Sequence, residues 1–185
     1  LRSIVITAPL VFSATAVMAT ASLASSLVDS TGGIQHACAR LWALLILKIC
    51  GVEMTVSGDP ELRQSVRYVF CVNHQSHMDI PIVLAAIPIP FRFAAKKELF
   101  RIPFLGWHLR RSGHIAIDRQ NPRAAVKSIR GASEQLKHGV SLVFFPEGGT
   151  SFDGSIKPFK GGGFVLATQT NAELVPVTVR GSRAV

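Results

Sequence analysis

The N-terminal part of the chain contains two long apolar stretches separated by a short polar turn. Ser3 to Val28 carries no charge, and as a helix it would extend about 39 Å, beyond the roughly 30 Å of a bilayer's hydrocarbon core. Asp29–Gly33 is typical of a turn. Ile34–Val52 predicts a second helix, with Lys48 near one end where its stem could reach a polar surface. The pattern predicts a membrane-associated helical hairpin, and a full span, insertion in one leaflet and a signal peptide are all compatible with it.

Beyond Val52, short β-branched and aromatic runs alternate with helical patterns. The predicted strands are Glu53–Val56, Tyr68–Val72, Phe91–Ala95, Ile115–Ile117, Ser141–Phe145 and Leu174–Val179. The predicted helices are Ser76–Ala86, Pro103–Arg111, Pro122–His138 and Gly162–Thr170. Such alternation is typical of an α/β fold, so we predict a central mixed, largely parallel sheet flanked by helices. The membrane-associated helices would occupy residues 1–51 and the α/β domain residues 52–185.

The composition indicates a membrane surface or phosphorylated substrates as partners. Hydrophobic residues make up 48% of the chain and the mean hydropathy is +0.35, which is high for a soluble domain. The net charge is +9, and 17 basic against 9 acidic residues follow Ser57. Such a surplus attracts anionic lipids and phosphates. Nucleic acid is disfavoured because the basic residues do not alternate with aromatic stacking residues, and Tyr68 is the only tyrosine.

The three cysteines, Cys38, Cys50 and Cys71, are odd in number, far apart and set in apolar runs. No pair has the spacing of a zinc or redox motif, so we interpret them as free buried thiols in a reducing compartment. The chain begins at Leu1 instead of methionine, and we expect the natural protein to continue at both ends.

A polar cluster, Asn-His-Gln-Ser-His-Met-Asp, runs from Asn73 to Asp79 directly after the predicted strand Tyr68–Val72. Ligand sites of parallel sheets form at the carboxyl ends of strands. On one continuous helix His74 and Asp79 would lie about 140° apart, whereas a strand-to-helix turn lets the carboxylate accept a hydrogen bond from one imidazole nitrogen. The other nitrogen could then act as a general base on a substrate hydroxyl.

Two other interpretations of this cluster stay open. His74 could cap the turn while Asp79 is only an acid in the first helical turn. Alternatively, His74, His77 and Asp79 could bind a metal ion, as in a metallohydrolase. That site would need further ligands, and no other His/Asp cluster of suitable spacing supplies them.

Four blocks, in order, resemble the motifs of the glycerolipid acyltransferase family, in particular its 1-acylglycerol-3-phosphate acyltransferases. Asn73–Asp79 is similar to the first motif, His-x4-Asp, and Lys96–Arg119 to the second. Phe144–Ser151 and Val175–Val177 resemble the third and fourth motifs. The resemblance implies an α/β domain with a central sheet, preceded by membrane-associated helices.

The resemblance also implies roles for individual side chains. His74 and Asp79 match the catalytic pair of the first motif. Arg119 matches a residue that binds the acceptor phosphate, and nearby cations, including Lys97, would assist it. Glu147 matches a residue that helps to bind the glycerol part of the acceptor and orders the site. We therefore expect these side chains to converge at one edge of the sheet.

The third motif departs from the family pattern at basic positions. The family usually reads Phe-Pro-Glu-Gly-Thr-Arg-Ser, whereas Gly149 and Thr150 occupy the Thr and Arg places here. Gly148 keeps the tight turn, whose exposed N–H groups could hold an anion. Lys160 matches the first lysine of a Pro-Phe-Lys-Lys segment and is expected to bind substrate, but Gly161 replaces the second lysine. These changes leave the identity of the acceptor open more than the chemistry.

The second block also mixes cations with large apolar residues between Lys96 and Arg111. Such a mixture could lie on a leaflet, with its cations at the level of the head groups and its rings beneath them. An ordinary amphipathic surface is an equally good interpretation of the sequence.

The sequence thus predicts an O-acyltransferase that moves a fatty acyl group from acyl-coenzyme A or acyl carrier protein to lysophosphatidic acid, giving phosphatidic acid for phospholipid synthesis. No metal or cofactor is expected beyond the thioester co-substrate. The expected partners are membrane lipids and the two substrates, with acyl carrier protein as a candidate, and the expected location is the cytoplasmic face of a bacterial inner membrane. Glycerol 3-phosphate or another lyso-lipid as acceptor, a metallohydrolase, and a catalytically silent membrane-binding domain stay open.

Overall fold

A parallel sheet forms the centre of the fold in the computed structural model, which describes residues 3–58, 61–63, 65–118, 122–151 and 153–185. Within that part of the chain the sheet has five strands in the order β3-β2-β4-β1-β5. They are β1 Tyr68–Val72, β2 Phe91–Lys96, β3 Ile115–Ile117, β4 Ser141–Phe144 and β5 Glu173–Val177. Neighbouring strands are parallel, so all five end at the same edge. The predicted α/β class is confirmed.

The helices fill the intervals between the strands and precede the sheet. They are α1 Ala8–Ser25, α2 Gly33–Ile49, α3 Asp79–Ala86, α4 Leu105–Arg111, α5 Pro122–Lys137 and α6 Gly162–Thr170. A π-helical segment, Ser3–Thr7, leads into α1, and 3-10 turns cover Lys97–Arg101 and Ser182–Ala184.

The middle strands β1 and β4 are buried because helices cover the sheet on both faces. Val69, Phe70, Val72, Leu142 and Val143 are each at most 1% exposed. On one face, α2 and α3 complete the apolar cluster that contains Phe70, and on the other α5 and α6 complete the cluster that contains Val69. Each such side chain contributes roughly 1.5–3 kcal/mol by burial. The loops that follow β1 and β4 therefore start from the most rigid part of the molecule.

The N-terminal helices form a hairpin whose second helix belongs to the core. Ala43 and Leu47 of α2 are buried against the sheet. The Trp42 indole N–H donates to Thr15 Oγ1 of α1 at 3.0 Å. Val5–Ser25, which includes α1, is long and apolar enough to cross a membrane, and little of it is buried within the described residues. The predicted boundary between the hairpin and the α/β domain, at residue 52, stays a prediction.

One predicted strand is wrong. Glu53–Val56 is described and exposed, and it forms no strand. Its alternation is too short to provide an apolar face that the sheet could bury. The other predicted strands agree with the structure to within two residues at each end.

Two helices begin later than predicted. The helix expected from Ser76 begins at Asp79, because the residues before it turn their N–H groups toward the Asp79 side chain. The helix expected from Pro103 begins at Leu105, because Phe104 has a φ of 62°, which no helix allows.

A buried group of imidazoles around Arg92 joins the hairpin to the sheet. Arg92 is 5% exposed, and its guanidinium donates to the Thr31 carbonyl in the hairpin turn at 2.8 Å. The pKa of His36 in α2 is lowered to about 4, mainly by burial and secondly by the positive charge of Arg92. Burial also holds the pKa of His114 well below its usual range, and His114 Nδ1 accepts the Phe93 N–H at 2.8 Å. This junction therefore requires neutral imidazoles.

Acidification should loosen this junction. The folded-state pKa of His36 lies below its unfolded value of 6.5, so the unfolded chain gains a proton first as the pH falls from about 6.5 to 4. Between pH 7 and pH 5, His36 alone should remove about 2 kcal/mol from the free energy of unfolding. Thermal unfolding midpoints at both pH values measure the loss, and His36→Phe should reduce it. The exposed His138→Gln is the matched control, and an equal loss in His36→Phe would contradict this account.

Candidate active site

Two loops at the carboxyl ends of β1 and β4 build the site. These strands are neighbours, with Cys71 in register with Phe144, so residues 73–78 and 145–151 leave the sheet side by side. The Ser151 N–H donates to the His74 carbonyl at 2.8 Å, which joins the two loops. The first and third sequence blocks, more than sixty residues apart, are thereby brought into contact.

His74 and Asp79 form the hydrogen-bonded pair that their spacing predicts. His74 Nδ1 lies 2.9 Å from Asp79 Oδ2. The same oxygen accepts the N–H of Gln75 at 2.7 Å and that of Ser76 at 2.9 Å. These main-chain donors fold the turn around the carboxylate, which brings it to the ring. A proton on Nδ1 leaves the lone pair on Nε2, the nitrogen that can act as a base.

The Asp79 carboxylate is completely buried and nevertheless stays ionised. Burial alone would raise its pKa, but the His74 ring, the nearby Ser182 hydroxyl and the two main-chain N–H groups together hold the pKa below its usual 3.8. Its second oxygen, Oδ1, has no hydrogen bond within normal limits among the described residues. A charged partner at this position stabilises the imidazolium that forms when His74 takes a proton.

The His74 ring is packed on its face and open at its outer edge. It stacks on Phe145 with ring centroids 4.1 Å apart and an angle of 24° between the planes, and the side chain is 12% exposed. Thr150 Oγ1 lies 3.2 Å from His74 Nε2. A hydroxyl oxygen thus already lies where a substrate alcohol would face the base, and the arrangement can remove a proton from an alcohol.

The Glu147 side chain is 5% exposed, and its carboxylate joins the two loops of the site. Oε1 accepts the His74 N–H at 2.7 Å, and Oε2 accepts the Lys157 N–H at 3.1 Å. Both oxygens therefore bind main chain. This geometry agrees with an ordering role for Glu147, while direct contact with the acceptor stays a prediction.

Gly148 and Lys160 meet at the tight turn after β4. Gly148 has a φ of 72°, a left-handed conformation that glycine adopts without strain. A Cβ on Gly148 would lie 2.8 Å from Lys160 Cε, so the end of the lysine side chain passes directly over this turn. The Lys160 N–H donates to the Pro146 carbonyl at 2.8 Å. These two predicted substrate-binding residues are therefore neighbours.

Lys97 lies farther along the same edge. It follows β2, and its ammonium is 2.5 Å from Asp118 Oδ2 at the end of β3. Since β4 lies between β2 and β1, one strand separates this pair from the His74 loop. Arg119 lies outside the described residues, so its predicted contact with phosphate stays a prediction.

Four further side chains of the site had no assigned role in the sequence interpretation. Asn73 exchanges two hydrogen bonds with the Val179 main chain, at 2.9 and 2.7 Å, and holds the C-terminal segment that brings Ser182 to Asp79. Thr150 contacts the base, and the Lys157 ammonium donates to the Thr150 carbonyl at 2.7 Å. Because Asn73 directly precedes His74 in the sequence, a structural role for it in the site could have been predicted. Nothing in the local pattern pointed to Lys157 or Ser182, because folding alone brings them to the site.

The fourth block forms an ordinary strand at the sheet edge. Val175 and Val177 of β5 pack against the core beside β1, while Pro176 is exposed. Their packing is explained by the core alone. A role in lining the substrate site stays a prediction.

The described residues do not provide a set of ligands that would support the metal-binding interpretation. Among them, no three His, Cys, Asp or Glu side chains gather in a way that could hold a metal ion. Asp79 Oδ2, which a metal would need, accepts hydrogen bonds from His74, Gln75 and Ser76 instead. The three cysteines are free, and burial raises the pKa of the Cys71 thiol.

Two known proteins similar to this chain have the same activity in their names. A chloroplast 1-acyl-sn-glycerol-3-phosphate acyltransferase of Brassica napus is 35% identical over 80% of this chain and 42% of its own length. The Saccharomyces cerevisiae 1-acyl-sn-glycerol-3-phosphate acyltransferase is 32% identical over 86% of the chain and 53% of its own length. This chain therefore spans about half or less of these curated relatives.

The crystal structure of the 1-acyl-sn-glycerophosphate (LPA) acyltransferase PlsC from Thermotoga maritima has a similar fold. The TM-score is 0.80 at 26% sequence identity, and the superposition covers 98% of this chain and 76% of that one. The model of the Acyltransferase family matches residues 53–180, a range that holds both loops of the site and every strand of the described sheet. The chain belongs to the Acyltransferase family.

Proposed function

We propose that the protein transfers a fatty acyl group from a thioester to the free hydroxyl of lysophosphatidic acid, giving phosphatidic acid. The observation that carries this proposal is the His74–Asp79 pair, with Nε2 directed at a hydroxyl oxygen of Thr150. The names of the relatives in Brassica napus and yeast, and of the Thermotoga maritima structure, support the same acceptor.

The reaction needs one base and no covalent acyl-enzyme. The acceptor hydroxyl replaces Thr150 Oγ1 at His74 Nε2 and gives up its proton as its oxygen attacks the thioester carbonyl. Asp79 stabilises the resulting imidazolium. The tetrahedral intermediate collapses with loss of the thiolate, which receives the proton from His74. The N–H groups of Gly149 and Thr150 have no acceptor among the described residues and are suited to the developing oxyanion.

The contacts with the acceptor phosphate and the nature of the donor belong to the same proposal. Arg119 and Lys97 are the phosphate contacts that the family resemblance implies, and Glu147 orders the main chain of His74 and Lys157. Either acyl-coenzyme A or acyl carrier protein can serve as the thioester, because the chemistry at the base is the same for both. Glycerol 3-phosphate and other lyso-lipids are the alternative acceptors to include in an assay.

Replacing His74 tests the base directly. His74→Ala should lower kcat for acyl transfer to lysophosphatidic acid roughly a hundredfold or more. Its unfolding midpoint should fall, because Asp79 loses one hydrogen bond and Phe145 loses a stacked ring, so kcat is compared at a temperature where both proteins are folded. Radiolabelled acyl transfer across a panel of acceptors is the measurement.

Acyl transfer, metal analysis and liposome binding together distinguish the proposed function from its alternatives. Near wild-type transfer by His74→Ala would exclude this mechanism. A stoichiometric metal in the purified protein, with inactivation by chelators, would indicate a metallohydrolase. Binding to liposomes without turnover of any long-chain thioester would indicate a catalytically silent membrane-binding domain.

Glu147→Gln distinguishes ordering of the site from contact with the acceptor. The amide keeps one acceptor oxygen but turns its N–H2 group toward a main-chain N–H, which leaves a buried donor unpaired at a cost of about 1–3 kcal/mol. We expect a lower unfolding midpoint and a lower kcat with little change in KM for the acceptor. A raised KM with an unchanged midpoint would instead assign Glu147 to acceptor binding.

We also propose that an exposed apolar surface around α4 contacts lipid beside the site. Ile102, Phe104, Leu105 and Trp107 are each at least 40% exposed, and Arg110 and Arg111 end the same helix. Phe104 keeps a φ of 62° and packs its ring against Trp107 with centroids 5.2 Å apart. A strained backbone that holds an aromatic ring in solvent is typical of a functional surface, and cations beside such rings suit anionic head groups.

The double variant Phe104→Gly/Trp107→Ser tests this surface. Glycine relieves the strain at residue 104, so the unfolding midpoint should not fall. Flotation with vesicles that contain anionic lipid should show a several-fold lower bound fraction. Leu174→Ser is the matched control, because Leu174 is 43% exposed on β5 at the opposite edge of the sheet. Equal flotation of the double variant and the wild type would exclude the proposed surface.

A further inference from the structure

Two lysines lie on the loop that follows the third motif, next to the base. Lys160 crosses the turn at Gly148, where a Cβ would be 2.9 Å from its ammonium nitrogen. Lys157 directs its ammonium to the Thr150 carbonyl at 2.7 Å, and the hydroxyl of Thr150 contacts His74 Nε2. The Lys157 cation is therefore close to the position at which the acceptor hydroxyl must bind, and Lys160 lies over the same turn, at Gly148.

The backbone of Lys157 is fixed independently of its side chain. Its N–H donates to Glu147 Oε2, while Oε1 of the same carboxylate accepts the His74 N–H. The base and the lysine are thus attached to two oxygens of one buried group. The carboxylate therefore sets the separation between the main chain of Lys157 and that of His74, and the lysine side chain extends from a fixed point near the base.

Within the described ranges, these two ammonium groups have no acidic partner. In the described part of the chain, neither Lys157 nor Lys160 forms an ion pair. The carboxylate on the same loop, Asp153, accepts hydrogen bonds from Ser151 and Ser155 instead. Two unneutralised cations at the rim of a site favour an anionic substrate group.

We propose that Lys157, together with Lys160, binds the phosphate of the acyl acceptor and makes this protein select phosphorylated acceptors. This inference rests on the proposed acyl transfer and adds to it a specificity residue that comes from the loop. Thr150 stands where the related motif carries an arginine, and the Lys157 ammonium binds the carbonyl of that same residue. The positive charge is therefore retained at this corner of the site, but a different residue supplies it.

The geometry agrees with the size of the acceptor. In lysophosphatidic acid, a short run of single bonds separates the attacking hydroxyl oxygen from the phosphorus. With that oxygen at the position of Thr150 Oγ1, the phosphate lies within reach of an ammonium bound to the carbonyl of the same residue. A flexible lysine stem can leave the carbonyl for a phosphate, since a charged acceptor gives the stronger hydrogen bond.

Lys157→Met is the variant that tests the inference, because it keeps the aliphatic stem and the N–H bond to Glu147. In mixed micelles of a neutral detergent, KM for lysophosphatidic acid should rise roughly ten- to a hundredfold with little change in kcat. Transfer to monoacylglycerol, which lacks the phosphate, should be unchanged. Lys157→Arg should restore the wild-type KM, and so should Thr150→Arg in the Lys157→Met background.

A binding measurement makes the result independent of turnover. In the His74→Ala background, Lys157→Met should weaken binding of lysophosphatidic acid by the same factor, measured by calorimetry in the same micelles. Lys137→Met is the matched control, because Lys137 lies at the end of α5, paired with Glu134 at 2.9 Å.

The outcomes separate this inference from the proposed function. An unchanged KM and unchanged binding in Lys157→Met, or an equal loss with monoacylglycerol, would overturn the inference and leave acyl transfer intact. Wild-type protein that binds lysophosphatidic acid through Lys157 but transfers no acyl group would contradict the proposed function and retain the phosphate site.

Discussion

The site depends on one buried carboxylate that does two things at once. Asp79 Oδ2 accepts the His74 ring and two main-chain N–H groups. Hydrogen bonds to a charged group contribute about 1.5–3 kcal/mol each, enough together to keep the acid ionised without contact with water. The interaction that positions the base therefore also shapes the turn between β1 and α3, so a substitution of Asp79 would disturb both.

Parallel topology explains why a second carboxylate is needed. Parallel strands bring distant loops to one edge, but nothing in the sheet itself fixes one loop against the next. Glu147 provides that connection, because its two oxygens hold the main chain of His74 and of Lys157. The base, the turn after β4 and the lysine loop are consequently hydrogen-bonded to one another at the ends of buried strands. Such preorganisation reduces the cost of orienting two substrates.

Much of this arrangement could be predicted from the sequence, and the failures have physical causes. β1, β3 and α6 were predicted to the residue, because buried parallel strands are continuous apolar runs and α6 lies between clear turn signals. The pair His74–Asp79 was predictable because both residues belong to one local turn. Lys157 and Ser182 were not, because their contacts with Thr150 and Asp79 exist only after distant segments fold together. Glu53–Val56 failed because a strand needs a partner, and alternation alone does not provide one.

The departure at residues 149–150 bears on how such sites change acceptors. A planar arginine at position 150 would combine charge and geometry in one side chain, whereas here a small hydroxyl contacts the base and a lysine from the neighbouring loop contacts its carbonyl. Because Glu147 fixes the main chain of Lys157 beside that of His74, a cation from the neighbouring loop can take the place of one at position 150. With the proposed roles, buried carboxylates hold the base and exposed cations select the acceptor. Substitutions on the loop would then change the acceptor without any change to the pair His74–Asp79.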